Sequence, residues 1–148
     1  MRCGKHALNN VLGGEHLFTN RDLEAACDLV IFESRIPDDN GILNLEEREN
    51  HIAVNGWYSE QVLAKALEAT LHFKLGLLPL RLNVNQLTEP GVVGAIVHQR
   101  NTHWLALKWV EDRVWRLDSV SHVPVPLSYE EYVRFVGQWP NSFPIMRL

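Results

Sequence analysis

Two cysteines occur in the 148 residues, and one of them, Cys3, sits where a thiol could do chemistry. In the run Cys3-Gly4-Lys5-His6-Ala7-Leu8-Asn9-Asn10-Val11-Leu12, the apolar residues Ala7, Leu8, Val11 and Leu12 recur at helical spacing, and Gly13-Gly14 follows as a stop signal. Cys3 is thereby expected in the first turn of a buried helix. Free backbone N–H groups and the positive end of the helix dipole favour the thiolate there, and the thiolate is the nucleophile. Gly4 has no side chain to keep a substrate backbone away from the sulfur.

A cysteine nucleophile needs a base to take its proton and a third group to orient that base. Seven histidines are available, and strand geometry singles out His103. If Glu111-Asp112 centres a two- or four-residue turn, residue i pairs with residue 223 − i, so His103 faces Val120 and Leu105 faces Asp118. His103 and Asp118 then share one face of the sheet on a diagonal of roughly 7–8 Å, within reach of an imidazole and a carboxylate. A three-residue loop would send Asp118 to the opposite face. With the diagonal register, Asp118 holds one ring nitrogen of His103 while the other meets Cys3, a Cys–His–Asp triad.

The remaining polar candidates have blander readings. Cys3 and His6 form one Cys-x-x-His pair, which supplies two ligands with no second pair of matching spacing, so no metal and no cofactor is predicted. His16, His51, His72, His98 and His122 fall in turns, at element ends or in a loop and read as surface or structural. Cys27 shares the stripe Leu23, Ala26, Cys27, Val30 and reads as an inert core residue.

Those candidates must be positioned by an ordinary globular chain, 46% hydrophobic and 22% charged, long enough for a core without disulfides. A net charge of −4 gives no basic face for nucleic acid. Two cysteines are too few for a disulfide framework, and neither a signal peptide nor a membrane-spanning apolar run is present, so a cytoplasmic or nuclear monomer is expected. Thr19-Asn20-Arg21-Asp22 caps a second helix, and Ser59 caps a third that turns Val62, Leu63, Ala66, Leu67 and Thr70 inward. Between them, residues 33–55 carry turn formers and the charged run Glu46-Glu47-Arg48-Glu49, read as a solvated loop or a flap over a cleft.

A strand-like run over 71–82, broken by Gly76 and Pro79, precedes a connection and three strands at about 92–98, 103–110 and 113–119. Pro124 and Pro126 break the pattern, Ser128-Tyr129-Glu130-Glu131 is a capping box for a last helix, and residues 143–148 form a closing strand. Helices first and an antiparallel sheet later, with no internal repeat, make the chain α+β, a single domain over 1–148.

At this point a family resemblance emerges. The Cys3 to Leu12 run resembles the nucleophile helix of Josephin domains, with its pattern Cys-Ala-x-His-x-Leu-Asn-Asn. Gly56-Trp57-Tyr58-Ser59-Glu60-Gln61-Val62-Leu63 is similar to that family's entry into the next core helix. His103-Trp104 and Trp115-Arg116-Leu117-Asp118-Ser119 resemble its His-Trp strand and its Asn/Asp-Leu-Asn/Asp-Ser strand.

The resemblance implies a papain-like cysteine protease that cleaves the isopeptide bond after the C-terminal glycine of ubiquitin. It implies Cys3 as nucleophile, His103 as base and acid and Asp118 as orienting residue, with ubiquitin or polyubiquitin as partner and 33–55 as a short helical arm. A tail ending in two glycines calls for a thin entrance, with Trp57, Trp104 and Leu105 as candidate lining, and core packing is the competing reading that ordinarily prevails for such residues. Two departures stand out. Gly4 replaces the family's usual alanine, and the oxyanion-donating glutamine found about five residues before the family's cysteine has no counterpart in Met1-Arg2. A free α-amino group on Met1 would supply a nearby positive charge that lowers the thiol pKa. The alternatives are a ubiquitin-binding module with a decayed site, or another papain-like amide hydrolase.

Overall fold

A computed structural model of the chain describes residues 3–33, 59–76, 78–80, 84–100, 103–121 and 123–148. The expected arm at 33–55 lies outside them beyond Glu33, as do Met1 and Trp57.

Helix α1 spans Cys3–Leu12 and buries the stripe Cys3, Ala7, Leu8, Val11 and Leu12. Gly13 and Gly14 end it at φ of 56° and 93°, a left-handed exit that side chains resist. Asn9 then ties the exit down: its Oδ1 accepts the Phe18 N–H at 2.7 Å and its Nδ2 donates to the Phe18 carbonyl at 3.1 Å. Helix α2, Asn20–Glu33, starts on a reciprocal cap in which Thr19 Oγ1 accepts from Asp22 N and Asp22 Oδ2 accepts from Thr19 N. Helix α3, Glu60–Ala69, is capped by Ser59, and its buried stripe Val62, Leu63, Ala66 and Leu67 packs against α2. Among the described residues, no helix is long and apolar enough to cross a membrane.

The sheet contains β1 (Phe73–Leu75), β2 (Val92–Gln99), β3 (His103–Val110), β4 (Arg113–Leu117), β5 (Val125–Leu127) and β6 (Ser142–Arg147). They lie in the order β1-β6-β2-β3-β4-β5, every neighbouring pair antiparallel. Helix α1 rests on β3 and β2. Gly94 permits this approach, since a Cβ there would stand 2.8 Å from Val11 Cγ1 and 2.9 Å from the Leu107 carbonyl. Alternation along β3 then feeds two cores. Trp104 and Ala106 join the helical layer of α1 to α3, while Leu105 and Leu107 point through the sheet to a second core closed by helix α4, Tyr129–Gln138. Ser128 and Glu131 open α4 with the anticipated capping box.

Three features of the sheet depart from expectation. Residues 125–127 form a strand despite Pro126, which is tolerated because β5 is an edge and needs no ladder donor on its outer side. Among the described residues, the strand-like run over 71–82 is a strand at Phe73–Leu75, beyond which Gly76 and Leu80 each still donate an N–H to β6, to the Pro144 and Ser142 carbonyls at 2.7 and 2.6 Å. The last strand, β6, inserts between β1 and β2. In a strand the N–H and C=O of one residue point to the same side, so the position where Pro144 lacks a donor faces the end of β1, where the ladder stops at Leu75↔Ile145.

Candidate functional site

The β3–β4 hairpin sets the site. Glu111 and Asp112 both take left-handed backbone angles, φ 52° and 63°, the two-residue turn whose twist matches the flanking strands. The ladder runs from Val110↔Arg113 to Ala106↔Leu117, so partner numbers sum to 223 and Asp118 lies next beyond Leu117, opposite Leu105. His103 Nε2 stands 2.8 Å from Asp118 Oδ1, across the diagonal that this register creates. Asp118 is itself fixed: its Oδ1 also accepts the Val120 N–H at 3.1 Å, and its carbonyl accepts the Ser121 N–H at 3.1 Å. An ionised carboxylate only accepts, so the imidazole carries its proton on Nε2 and keeps the Nδ1 lone pair for another proton.

Helix α1 brings the sulfur to the same strand. The Trp104 N–H donates to Cys3 Sγ at 3.4 Å, which puts the thiol against the residue that follows His103. Cys3 is buried, 4% exposed, whereas the His103 and Asp118 side chains keep 22% and 15% of their surface open. Burial pushes the Cys3 thiol above its ordinary range, opposed by backbone N–H groups of Trp104, Gly4 and Cys3 itself. A helix start alone led us to expect a favoured thiolate; desolvation outweighs it here, because the donors act on a sulfur already removed from water. The resting group is a thiol.

The expected entrance lining is corrected. Trp104 is fully buried in the helical-layer core, its ring stacked on His98 at 4.0 Å between centroids and 6° between planes. Leu105, 1% exposed, belongs to the second core. Neither side chain reaches a surface, since both lie on a central strand with a layer packed on each face. Trp104 contributes its backbone N–H to the site, which no side-chain pattern could announce. The stacked His98 follows from the β2–β3 register His98↔Trp104, equally invisible in local sequence. His6 stands one turn beyond Cys3 and lines, with Asn10, Leu117, Asp118, Ser119 and Ser121, an open cleft of about 460 Å³ between α1 and the β4–β5 loop. Burial, then the neighbouring Lys5, lowers the His6 pKa, so its imidazole is neutral at neutral pH.

A thiol at a helix start, docked on a strand whose histidine is hydrogen-bonded to a carboxylate from the next strand, defines a papain-like cysteine protease fold of the α+β class. A solved structure agrees on the fold: a double glycine motif protease from an AMS/PCAT transporter, crystallised with a leader peptide. It superposes with a TM-score of 0.51 at 16% identity, covering 99% of this chain and 83% of that one. The chain belongs to the Josephin family, whose family model matches residues 1–142. It is 30% identical to Josephin-2 of Mus musculus and 29% identical to Josephin-2 of Homo sapiens. In each case the alignment takes in 89% of this chain and 71% of the relative.

Proposed function

We propose that this protein is a deubiquitinating cysteine protease that hydrolyses isopeptide bonds at the C-terminal glycine of ubiquitin. Cys3 is the nucleophile, His103 the general base and acid, and Asp118 the orienting carboxylate. One juxtaposition carries the reading: Cys3 Sγ lies against the Trp104 N–H while the adjacent His103 is fixed by Asp118.

His103 takes the thiol proton on Nδ1 as the sulfur attacks the glycyl carbonyl, forming an S–C bond and moving the carbonyl π pair onto oxygen. The Cys3 N–H, at the unpaired start of α1, is the donor available to that oxyanion. Collapse breaks the C–N bond, and the leaving lysine amine takes the proton from the imidazolium. His103 then deprotonates a water that attacks the thioester, releasing the ubiquitin carboxyl group and returning the proton to sulfur. Asp118 stays ionised and stabilises the imidazolium at Nε2. The near-complete burial of the sulfur suits a tail that ends in two glycines, the thinnest segment a polypeptide can offer.

Incubation with ubiquitin bearing a C-terminal electrophile, followed by peptide mapping, tests this. A single adduct on Cys3, absent in Cys3→Ala, is the expected result. Failure to form it at millimolar probe, with the thiol still open to small alkylating agents, would sink the deubiquitinase reading.

A further inference from the structure

The row Cys3, His6 and Asn10 runs along α1 at spacings of three and four, so sulfur, imidazole and amide lie on one helical stripe. Opposite that stripe is the loop that follows Asp118, held by two bonds to Asp118 and by Ser121 Oγ donating to the Val123 carbonyl at 3.1 Å. The cleft between them has Asp118, the partner of His103, in its wall, together with His6 and Asn10 of α1. The same loop exposes Val120 and Val123, 62% and 68% open to solvent.

We infer that this cleft is the leaving-group subsite, taking the extended peptide segment that bears the acceptor lysine. The inference rests on the deubiquitinase reading above. Its first support is stereochemical. The amine expelled from the tetrahedral intermediate must be within reach of the imidazole that protonates it, while the oxyanion points back to the start of α1. The leaving side of the substrate therefore lies on the His103–Asp118 side, and Asp118 is in the wall of this cleft. Its second support is chemical. Apart from Asp118, whose Oδ1 already serves His103 and the Val120 N–H, the lining is uncharged: neutral His6, Asn10, Ser119 and Ser121 beside Leu117 and Pro124. Mixed neutral donors and acceptors match the alternating N–H and C=O groups of a peptide backbone, and offer little to a phosphate or a metal cation.

Two measurements test the subsite. In the first, kcat/KM is compared for ubiquitin joined to the lysine of a peptide and for ubiquitin joined to aminocoumarin, which has no peptide on its leaving side. Asn10→Leu and Ser121→Leu should lower the peptide-to-coumarin ratio about tenfold, the size of one or two lost hydrogen bonds, while Lys74→Ala in the distant cleft beside β1 leaves the ratio unchanged. In the second, Cys3→Ala protein is titrated with a pentapeptide whose central lysine carries diglycine on its side chain, followed by amide NMR. Shifts centred on His6, Asn10, Ser119 and Ser121 support the subsite. An unchanged ratio, or shifts confined to other surfaces, overturns it. A wild-type protein that cleaves neither ubiquitin substrate counts against the deubiquitinase reading, and the pentapeptide titration then decides the cleft by itself.

Discussion

Cys3 and Cys27 are both buried on the apolar stripes of amphipathic helices, 4% and 0% exposed, and neither forms a disulfide. Burial and periodicity do not tell them apart. Cys27 lies in the middle of α2, where the backbone donors around it are spent on the helix itself. Cys3 lies at the first residue of α1, where N–H groups are unpaired, and it faces a strand that adds one more from Trp104. The difference teaches that position along the helix, and what the helix end abuts, give two equally buried thiols different surroundings, and the proposed function assigns reactivity to Cys3 on that ground.

The largest effect that would break the comparison is on activity. Under the proposed mechanism Cys3→Ala lowers hydrolysis of a fluorogenic ubiquitin amide by about 10⁴-fold or more. Cys27→Ala should leave kcat within about threefold and cost roughly 1 kcal/mol in a denaturation curve. Equal losses in the two variants would erase the distinction.

Next come the groups that the proposed mechanism sets to work on Cys3. His103→Ala is expected to reduce kcat by about 10²- to 10⁴-fold. Asp118→Asn, which keeps an acceptor for the Nε2 proton, should lose less than Asp118→Ala, and the reverse order in steady-state kinetics would deny Asp118 its orienting role. Trp104→Ala acts through packing: removing a fully buried indole should cost about 3–5 kcal/mol in urea unfolding.

Alkylation sharpens the contrast by pH. Because burial raises the Cys3 pKa, the thiolate fraction is small at neutral pH and grows as pH rises towards the raised value. The rate of Cys3 modification should climb about tenfold per pH unit through pH 8, with no plateau near neutrality. Cys27 should stay unlabelled until the fold opens, and a Cys3 profile already flat at pH 7 would reverse the assigned direction. The smallest effect lies in the turn that sets the hairpin. Replacing Glu111-Asp112 by Asn-Gly relieves two left-handed side-chain positions and should stabilise the protein by about 1 kcal/mol without altering kcat. Destabilisation would mean that these angles carry no strain.

Helices were readable where the chain signals its own caps. Thr19 with Asp22, Ser59, and Ser128 with Glu131 all hold the starts that their spacing predicts, because a cap is a bond between near neighbours. The β3–β4 register was readable for a similar reason, since a two-residue turn counts out the pairing on both sides. Less legible were β5, hidden by Pro126 until its edge position is known, and β6, whose place between β1 and β2 depends on strands far away in sequence. Sequence left Trp104 and Leu105 between an entrance and a core, because alternation gives two faces and does not say that both are covered.

Sequence alone determined which side chains share a helical stripe, Ala7 with Leu8, Val11 and Leu12 behind Cys3, and that His103 and Asp118 share a strand face if the turn has two residues. Side-chain direction follows from the period of a single element and the length of a single turn. Tertiary structure alone decided that α1 lies on β3 with its thiol against the Trp104 N–H, and that burial there raises the thiol pKa. Contact and solvent exclusion are set by surfaces brought together from opposite ends of the chain, and no local spacing encodes them.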